Sequence, residues 1–292
     1  MVYHIILNEK FLKGRHRKKL LKVEKQFKQA GKEYKLYPTS KRGNAYAYAR
    51  EISATNENCI LIAMGGDGIL HEVVNGISDL EKCCLGLIPV GTGNDFAAAA
   101  KIPLNPKKAA DIILNDRPKK IDYIELSSGL RSINAVGMGI DVDVLVRAYS
   151  GKNKGKSKYL FALLKSLLHF KSHNFTVEYD GKTERHFGLM AALGNGKQFG
   201  GGIKVFPDAE LDDGKMDLVI VDYLSKAKTV GAFIKLMMGK IKKVKQVTLI
   251  KTTAAKFIPE RENYTIQAEG ELYENEPFEA RVVQNKLSVF MP

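Results

Sequence analysis

Cys59-Ile60-Leu61-Ile62-Ala63-Met64 runs directly into Gly65-Gly66-Asp67-Gly68, and a short way on Cys84-Leu85-Gly86-Leu87-Ile88 runs into Pro89-Val90-Gly91-Thr92-Gly93-Asn94-Asp95. Each is an apolar run that reads as a buried strand, followed by a glycine loop that carries an aspartate. Glycine lets backbone N–H groups approach phosphate oxygens without obstruction, and a following helix N-terminus adds the positive end of its dipole. Short carboxylates beside such loops can hold Mg²⁺ or its water shell. A single glycine loop is an ordinary tight turn between strand and helix. Two with matched aspartates predict a site for a polyphosphate and a metal.

The pattern around these loops alternates. Residues 2–7, 33–37, 59–64 and 84–88 read as strands, and 12–29, 44–54, 69–77 and 95–100 read as helices, the first of them basic and amphipathic. Such alternation gives βαβ units and a mostly parallel sheet, whose ligands bind beyond the carboxyl ends of the strands. Beyond residue 120 the pattern changes to short strands separated by turns, at 122–126, 131–136, 174–179, 187–193, 216–221, 246–251 and 264–268. These predict an antiparallel, sandwich-like domain broken by helical inserts at 157–171 and 226–238. The expected fold class is therefore α/β followed by mainly β. The expected division is 1–125, with a returning 282–292, and 126–281.

The 292 residues are 45% hydrophobic and 27% charged, as in a globular protein, and the net charge is +14. Stretch 225–258 holds nine lysines and no acid, stretch 144–177 is basic without acid, and 10–28 is relieved only by Glu24. This polarity implies an anionic partner, nucleic acid or an acidic lipid surface. Within 226–256 the lysines surround Phe233, Ile234, Leu236, Met237 and Ile241, the pattern of an interfacial helix rather than of a base-stacking platform, so no nucleic acid is expected. No apolar run approaches the roughly 20 residues of a membrane-spanning helix. Residues 1–7 read as a strand rather than a leader. Three cysteines, Cys59, Cys83 and Cys84, lack metal-ligand spacing, and their odd number argues against a disulfide framework, which points to a reducing cytoplasm. The loop Gly151-Lys152-Asn153-Lys154-Gly155-Lys156-Ser157 has one residue too few between its glycines to be a P-loop.

Taken together, the two glycine loops, His71-Glu72-Val73-Val74-Asn75-Gly76, Asn195 with Gly200-Gly201-Gly202, Asp212-Asp213-Gly214 and Glu269-Gly270-Glu271 resemble the ordered motifs of the diacylglycerol kinase-like lipid kinases, the superfamily that includes sphingosine and ceramide kinases. The resemblance covers nearly the whole chain. It implies a nucleotide-binding α/β domain, a β-sandwich-like lipid domain, and ATP and Mg²⁺ as cofactors. It also implies an ATP-dependent phosphorylation of a lipid alcohol, diacylglycerol first, by a cytoplasmic enzyme peripheral to the inner, anionic face of the membrane. Whether the chain is a homodimer stays open.

The same resemblance implies residue roles. Glu271 is similar to the general base. Asp67 and Asp95 would contact Mg²⁺–ATP, with Asp122 supporting that network. Asn8, Thr39, the backbone of Gly65, Gly66, Asp67, Gly68, Ile69, Leu70 and His71, and the second loop at Gly91, Thr92, Gly93 and Asn94 would contact the nucleotide. Asp213, with carbonyls of Glu210 and Lys215, resembles a second, structural Mg²⁺ site. The chain departs from the family at Ile69, where a threonine is usual, and at Glu9, where Asn-Pro is usual. The alternatives are a soluble kinase of the NAD kinase type, which shares the Gly-Gly-Asp-Gly loop, and a non-catalytic nucleotide- or nucleic-acid-binding protein.

Overall fold

The structure is a computed structural model that describes residues 2–55, 58–150, 165–166 and 169–292. The loop at 151–157 lies outside the described residues, as does most of the helix expected at 157–171. The chain divides into two compact units, Met1–Asp122 with Gln284–Pro292, and Tyr123–Val283.

In the first unit four strands, β1 (Tyr3–Asn8), β2 (Tyr34–Thr39), β3 (Cys59–Gly65) and β4 (Cys83–Pro89), lie parallel in the order β4-β3-β1-β2. The registers Ile5↔Ile62 and Leu61↔Leu85 fix the alignment. Every residue of β3 is buried, which explains its unbroken apolar run: helices cover both faces of such a sheet. The helices are α1 (Arg17–Gln29), α2 (Asn44–Thr55), α3 (Asp67–Gly76), α4 (Asp95–Ala99) and α5 (Pro106–Asn115). Helix α1 buries Leu20, Val23 and Phe27, one stripe at helical spacing. It starts five residues later than the pattern at 12–29 suggests. Gly14 takes φ 58° and the chain runs through two 3-10 turns, Glu9–Leu12 and Gly14–His16, before the helix begins. The chain returns at Ser288 and Val289, which pair parallel with Cys84 and Leu85 of β4.

The expectation that the cysteines form no disulfide is overturned. Cys59 and Cys83 are register partners at the starts of β3 and β4, their Cα atoms are 4.9 Å apart, and they are joined. A separation of 24 residues hides this from spacing rules; only the parallel register brings the two together. Cys84 is free.

In the second unit the strands are antiparallel: β7 (Ala135–Gly139), β8 (His173–Tyr179), β9 (Lys182–Gly194), β10 (Met216–Asp222), β11 (Val247–Thr252), β12 (Ala254–Pro259), β13 (Thr265–Ala268) and β14 (Glu271–Glu274). Strands β5 (Lys119–Leu126) and β6 (Arg131–Ser132) form a hairpin, and β15 (Glu279–Val289) pairs β12. The pattern at 131–136 is thus two strands, β6 and β7, and the sequence pattern does not show β12, a six-residue strand of alternating burial paired between β8 and β15. Residues 216–220 of β10 are all buried, and the side chains alternate between two cores: Leu218 and Ile220 enter one with Val177, Leu193 and Phe257, while Val219 enters another with Ala192, Phe206 and Ile241. Two helices accompany the second core, α6 (Ile140–Ser150) and α7 (Lys226–Met237).

Helix α7 corrects the single apolar face expected for 226–238. Phe233, Leu236 and the following Ile241 pack inward, whereas Ile234, Met237 and Met238 are 54, 54 and 58% exposed. Among the described residues no helix is long and apolar enough to cross a membrane.

Candidate active site

The two glycine loops meet backbone to backbone at the carboxyl ends of β3 and β4. The N–H groups of Val90 and Gly91 both donate to the Gly65 carbonyl, at 2.8 and 3.1 Å. A Cβ on Gly91 would stand 2.4 Å from Cα of Gly66, so glycine is required at this crossing. Asn94 shapes the second loop: it takes the left-handed conformation at φ 56°, its Oδ1 accepts from the Gly91 N–H at 3.1 Å, and its Nδ2 donates to the Gly91 carbonyl at 3.0 Å. Asparagine tolerates that conformation better than most residues.

Asp67 ties the loops together. Its Oδ2 accepts from the Asn94 N–H at 2.8 Å and its Oδ1 from the Asp95 N–H at 2.9 Å. Burial and the neighbouring Asp95 charge raise its pKa, against the pull of the N–H groups of Asn94, Phe96 and Asp95. The carboxylates converge: a Cβ on Gly93 would lie 2.7 Å from Asp67 Oδ2 and 3.6 Å from Asp95 Oδ2. Two desolvated like charges in one place are what a divalent cation relieves, so these residues fit Mg²⁺. Among the described residues no cluster of three or more His, Cys, Asp or Glu could hold a metal. The protein supplies two carboxylates, which suits an ion whose remaining ligands are phosphate and water.

Helix α3 starts at Asp67, with Gly66 as its N-cap residue, so Gly68, Ile69 and Leu70 form its first turn beside the loops. The Ile69 side chain folds back over Gly65, where an added Cβ would meet it at 2.9 Å. It offers no hydroxyl to a phosphate; what the first turn offers is N–H groups. His71 is buried, and its pKa is pushed down to about 4 by burial and then by the Arg42 charge, so it is neutral at physiological pH. Thr39 and Asn8 are register partners at the carboxyl ends of β2 and β1. The Thr39 hydroxyl donates to the Leu7 carbonyl at 3.2 Å, and Asn8 Oδ1 accepts from the Lys10 N–H at 3.1 Å. Thr92 is exposed in the second loop. Asp122, fully buried, accepts from the Asn285 N–H at 2.8 Å and so pins the returning segment of this unit.

In the second unit the Glu-Gly-Glu motif separates into two roles. Glu269 sits at φ 54° in the turn between β13 and β14, and its Oε1 accepts from the Ser132 hydroxyl at 2.5 Å and the Asn134 N–H at 2.7 Å. It is a structural carboxylate. Glu271, the first residue of β14, is half-buried and lies past Gly270, which takes φ 83°.

Asp213 is arranged differently from a metal ligand. Its Oδ1 accepts from the Lys215 N–H at 3.0 Å in a local turn, and its Oδ2 meets the Lys251 ammonium at 2.5 Å. Lys251 also reaches Asp217 at 3.2 Å. Partial burial pulls the lysine's pKa down, but the bond to Asp213 and the Asp217 charge outweigh it and leave it raised. The Lys251 ammonium offsets one of the pair's two negative charges, and both Asp213 oxygens are taken by groups of the protein itself. Asp213 so engaged does not fit a second Mg²⁺.

Three polar residues near the motifs escape sequence reasoning. Glu72 of α3 accepts from the N–H groups of Gly43 and Ala45, both at 3.0 Å, and closes the N-terminus of α2; its position after His71 in the quoted motif was the available signal. Asp141 and Gln267 are the others. Both are buried, and neither Asp141 oxygen nor Gln267 Nε2 makes a hydrogen bond of good geometry. Asp141 follows Gly137 and Gly139, and a Cβ on Gly137 would come within 2.2 Å of Asp141 Oδ2. Those glycines were the signal.

A parallel α/β unit with crossed glycine loops and paired carboxylates, followed by an antiparallel sandwich-like unit, defines the NAD kinase-like fold. The profile of the diacylglycerol kinase catalytic domain matches residues 2–126, and that of the YegS C-terminal NAD kinase beta sandwich-like domain matches 134–291. The chain is 35% identical over 209 residues to a diacylglycerol kinase of Bacillus subtilis (strain 168), covering 70% of this chain and 68% of the relative. It is 36% identical over 209 residues to a diacylglycerol kinase of Staphylococcus aureus (strain JH9), covering 70% of this chain and 64% of that one. A solved diacylglycerol kinase structure from Bacillus anthracis str. Sterne superposes with TM-score 0.75 at 21% identity, covering 100% of this chain and 96% of the other. An NAD kinase from Archaeoglobus fulgidus in complex with ATP shares the fold at TM-score 0.52 and 10% identity, over 100% of this chain and 94% of the other. The chain belongs to the diacylglycerol kinase family, and with it to the nucleotide-binding kinases.

Proposed function

We propose that this kinase transfers the γ-phosphoryl group of ATP to the hydroxyl of a lipid alcohol, diacylglycerol being the first acceptor to test. The observation that carries the lipid reading is an apolar pocket of about 100 Å³ in the second unit, walled by residues such as Val144, Leu189, Met190, Phe199, Ile203 and Phe233. Its polar members are Asp141 and Thr229, and the Thr229 hydroxyl is spent on the Ser225 carbonyl at 3.1 Å. Such a wall suits an acyl chain. A dinucleotide acceptor needs hydrogen-bonding and cationic partners that the pocket lacks.

Asp67 and Asp95 would hold Mg²⁺, which when bound neutralises phosphate charge. The crossed loops and the first turn of α3 would hold the nucleotide, with Asn94 fixing the second loop. Glu271 takes the proton of the acceptor hydroxyl as its oxygen attacks the γ-phosphorus; the bond to the β-phosphate oxygen breaks and ADP leaves. Access to the lipid is by docking on the inner, anionic face of a membrane. The lysines of 225–258 and the exposed Ile234, Met237 and Met238 support this.

The test is transfer of label from γ-³²P-ATP to a panel of lipid alcohols in anionic micelles, with NAD included. Labelled phosphatidate formed from diacylglycerol is the expected result. Label only on NAD, or on no acceptor, overturns the lipid reading.

A further inference from the structure

A buried carboxyl and a buried carboxamide lie beneath the Glu-Gly-Glu turn, and neither takes part in the chemistry above. Gln267 precedes the turn on β13. Its Oε1 accepts from the Gly270 N–H at 3.0 Å, which holds the turn one residue before Glu271. An N–H can only donate, so the amide oxygen must face Gly270 and the NH₂ group must face away from it. Gln267 is the register partner of Gly137 on β7. The Asp141 carboxyl stands directly over Gly137, which has no side chain to obstruct it. The Gln267 amide therefore lies against Asp141, close enough to draw its pKa down, although burial wins and pushes it up to about 7. On its other side Asp141 forms part of the wall of the apolar pocket. The N–H groups of Val142 and of Asp141 itself also draw its pKa down, so the carboxyl faces backbone donors at the start of α6 and the Gln267 amide on the β13 side. A buried amide donor that loses its acceptor must find another.

We propose that Asp141 and Gln267 are positioning residues for Glu271: Asp141 orients the Gln267 carboxamide, whose oxygen fixes Gly270 and thereby the place of the Glu271 carboxylate. The importance of that carboxylate rests on the lipid-kinase reading; the mechanical link does not. Leucine at 141 removes the acceptor for the amide, and the amide then turns toward whatever acceptor it can reach and releases Gly270. Asparagine at 141 keeps an acceptor oxygen in the same place.

The experiment is amide hydrogen exchange at Gly270 and Glu271 in the full chain, read alongside melting temperature and steady-state kinetics. Asp141→Leu and Gln267→Met should each raise exchange at Gly270 at least tenfold and lower kcat at least tenfold, with KM for ATP unchanged. Asp141→Asn should restore both protection and kcat. If Asp141→Leu does not fold, Asp141→Ser takes its place with the same expected losses. Unchanged Gly270 protection in folded Asp141→Leu or Asp141→Ser overturns the link, whatever the acceptor proves to be. Normal turnover in Glu271→Gln would instead remove the base assignment and leave the exchange result to decide the link alone.

Discussion

The Cα of Gly66 and the site of a Cβ on Gly91 are 2.4 Å apart, so the two glycine loops cross at a point that admits no side chain. The obstruction is backbone, which cannot swing aside as a side chain could. Gly91→Ala must therefore separate the loops. It should destabilise the protein by about 1–3 kcal/mol, the range for overpacking, and weaken ATP binding at least tenfold. Calorimetric titration with ATP and a melting curve measure both; unaltered ATP affinity would refute the crossing as the nucleotide cradle.

Asp67 should set the acid limb of activity. Burial and then Asp95 raise its pKa, and in the proposed site Mg²⁺–ATP would bind to the ionised form. The acid limb of kcat/KM for ATP should lie above the ordinary carboxylate range, and added Mg²⁺ should move it to lower pH. In the metal-free protein the sign for stability is the reverse of a salt-bridged carboxylate. The folded state holds this proton more tightly than the unfolded chain, so stability falls as pH rises through the raised value. A pH–rate profile indifferent to Mg²⁺ concentration would sink the assignment.

The two glutamates of the Glu-Gly-Glu motif should separate cleanly by measurement. Glu271→Gln should lower kcat by roughly 10²–10⁴ with little change in melting temperature or ATP affinity. Glu269→Gln loses the charge that Ser132 and Asn134 donate to, and should cost about 1–3 kcal/mol of stability. Reversed outcomes, a stability loss at 271 and a pure kcat loss at 269, would exchange the roles.

Lys251 should make the second unit independent of Mg²⁺ at Asp213. The change in melting temperature between Mg²⁺ and EDTA should be the same for wild type and Asp213→Asn. Lys251→Met leaves Asp213 and the buried Asp217 without their cation, should cost about 1–3 kcal/mol, and should show a larger stabilising response to Mg²⁺ than wild type does. A Mg²⁺ response present in wild type and lost in Asp213→Asn would restore a metal to that site.

Membrane docking should depend on the outward residues of α7 and on salt. Replacing Ile234, Met237 and Met238 by Ser should release the protein from acidic vesicles while leaving its melting curve intact, because all three are exposed. Lys240, Lys243 and Lys245→Gln should weaken binding further; Lys242 is a poorer probe, being paired with Asp208 at 2.5 Å. Binding should fall with salt as the Debye length shrinks from about 10 Å at 0.1 M to about 3 Å at 1 M. Equal sedimentation of wild type and variants with vesicles at low salt would exclude this surface.

The fold class was legible because its signals are local: an apolar run and a glycine loop identify β3 and β4, and a short apolar run between turns identifies β10. Whatever depended on register was not. Cys59 and Cys83 look unrelated until two strands align them, and Gln267 looks like any strand residue until Gly137 lies opposite. At the candidate site the residue types were readable, but their division of labour was not. Glu269 and Glu271 differ by which side of one turn they occupy, and Asp213 by a lysine 38 residues away. The faces of α7 were misread for a related reason: its apolar residues surround more than one side of the helix, so spacing alone does not say which side the second unit covers.

Glu72 has a wider consequence. Helix α3 begins at the first glycine loop, and through Glu72 it closes the N-terminus of α2. Any displacement of α3 that accompanies filling of the loops must therefore strain or tighten the first turn of α2, on an exposed surface. The amides of Gly43 and Ala45 should thus act as an optical-free gauge of nucleotide occupancy, legible by exchange or chemical shift with no substrate turned over and no label placed near the phosphates.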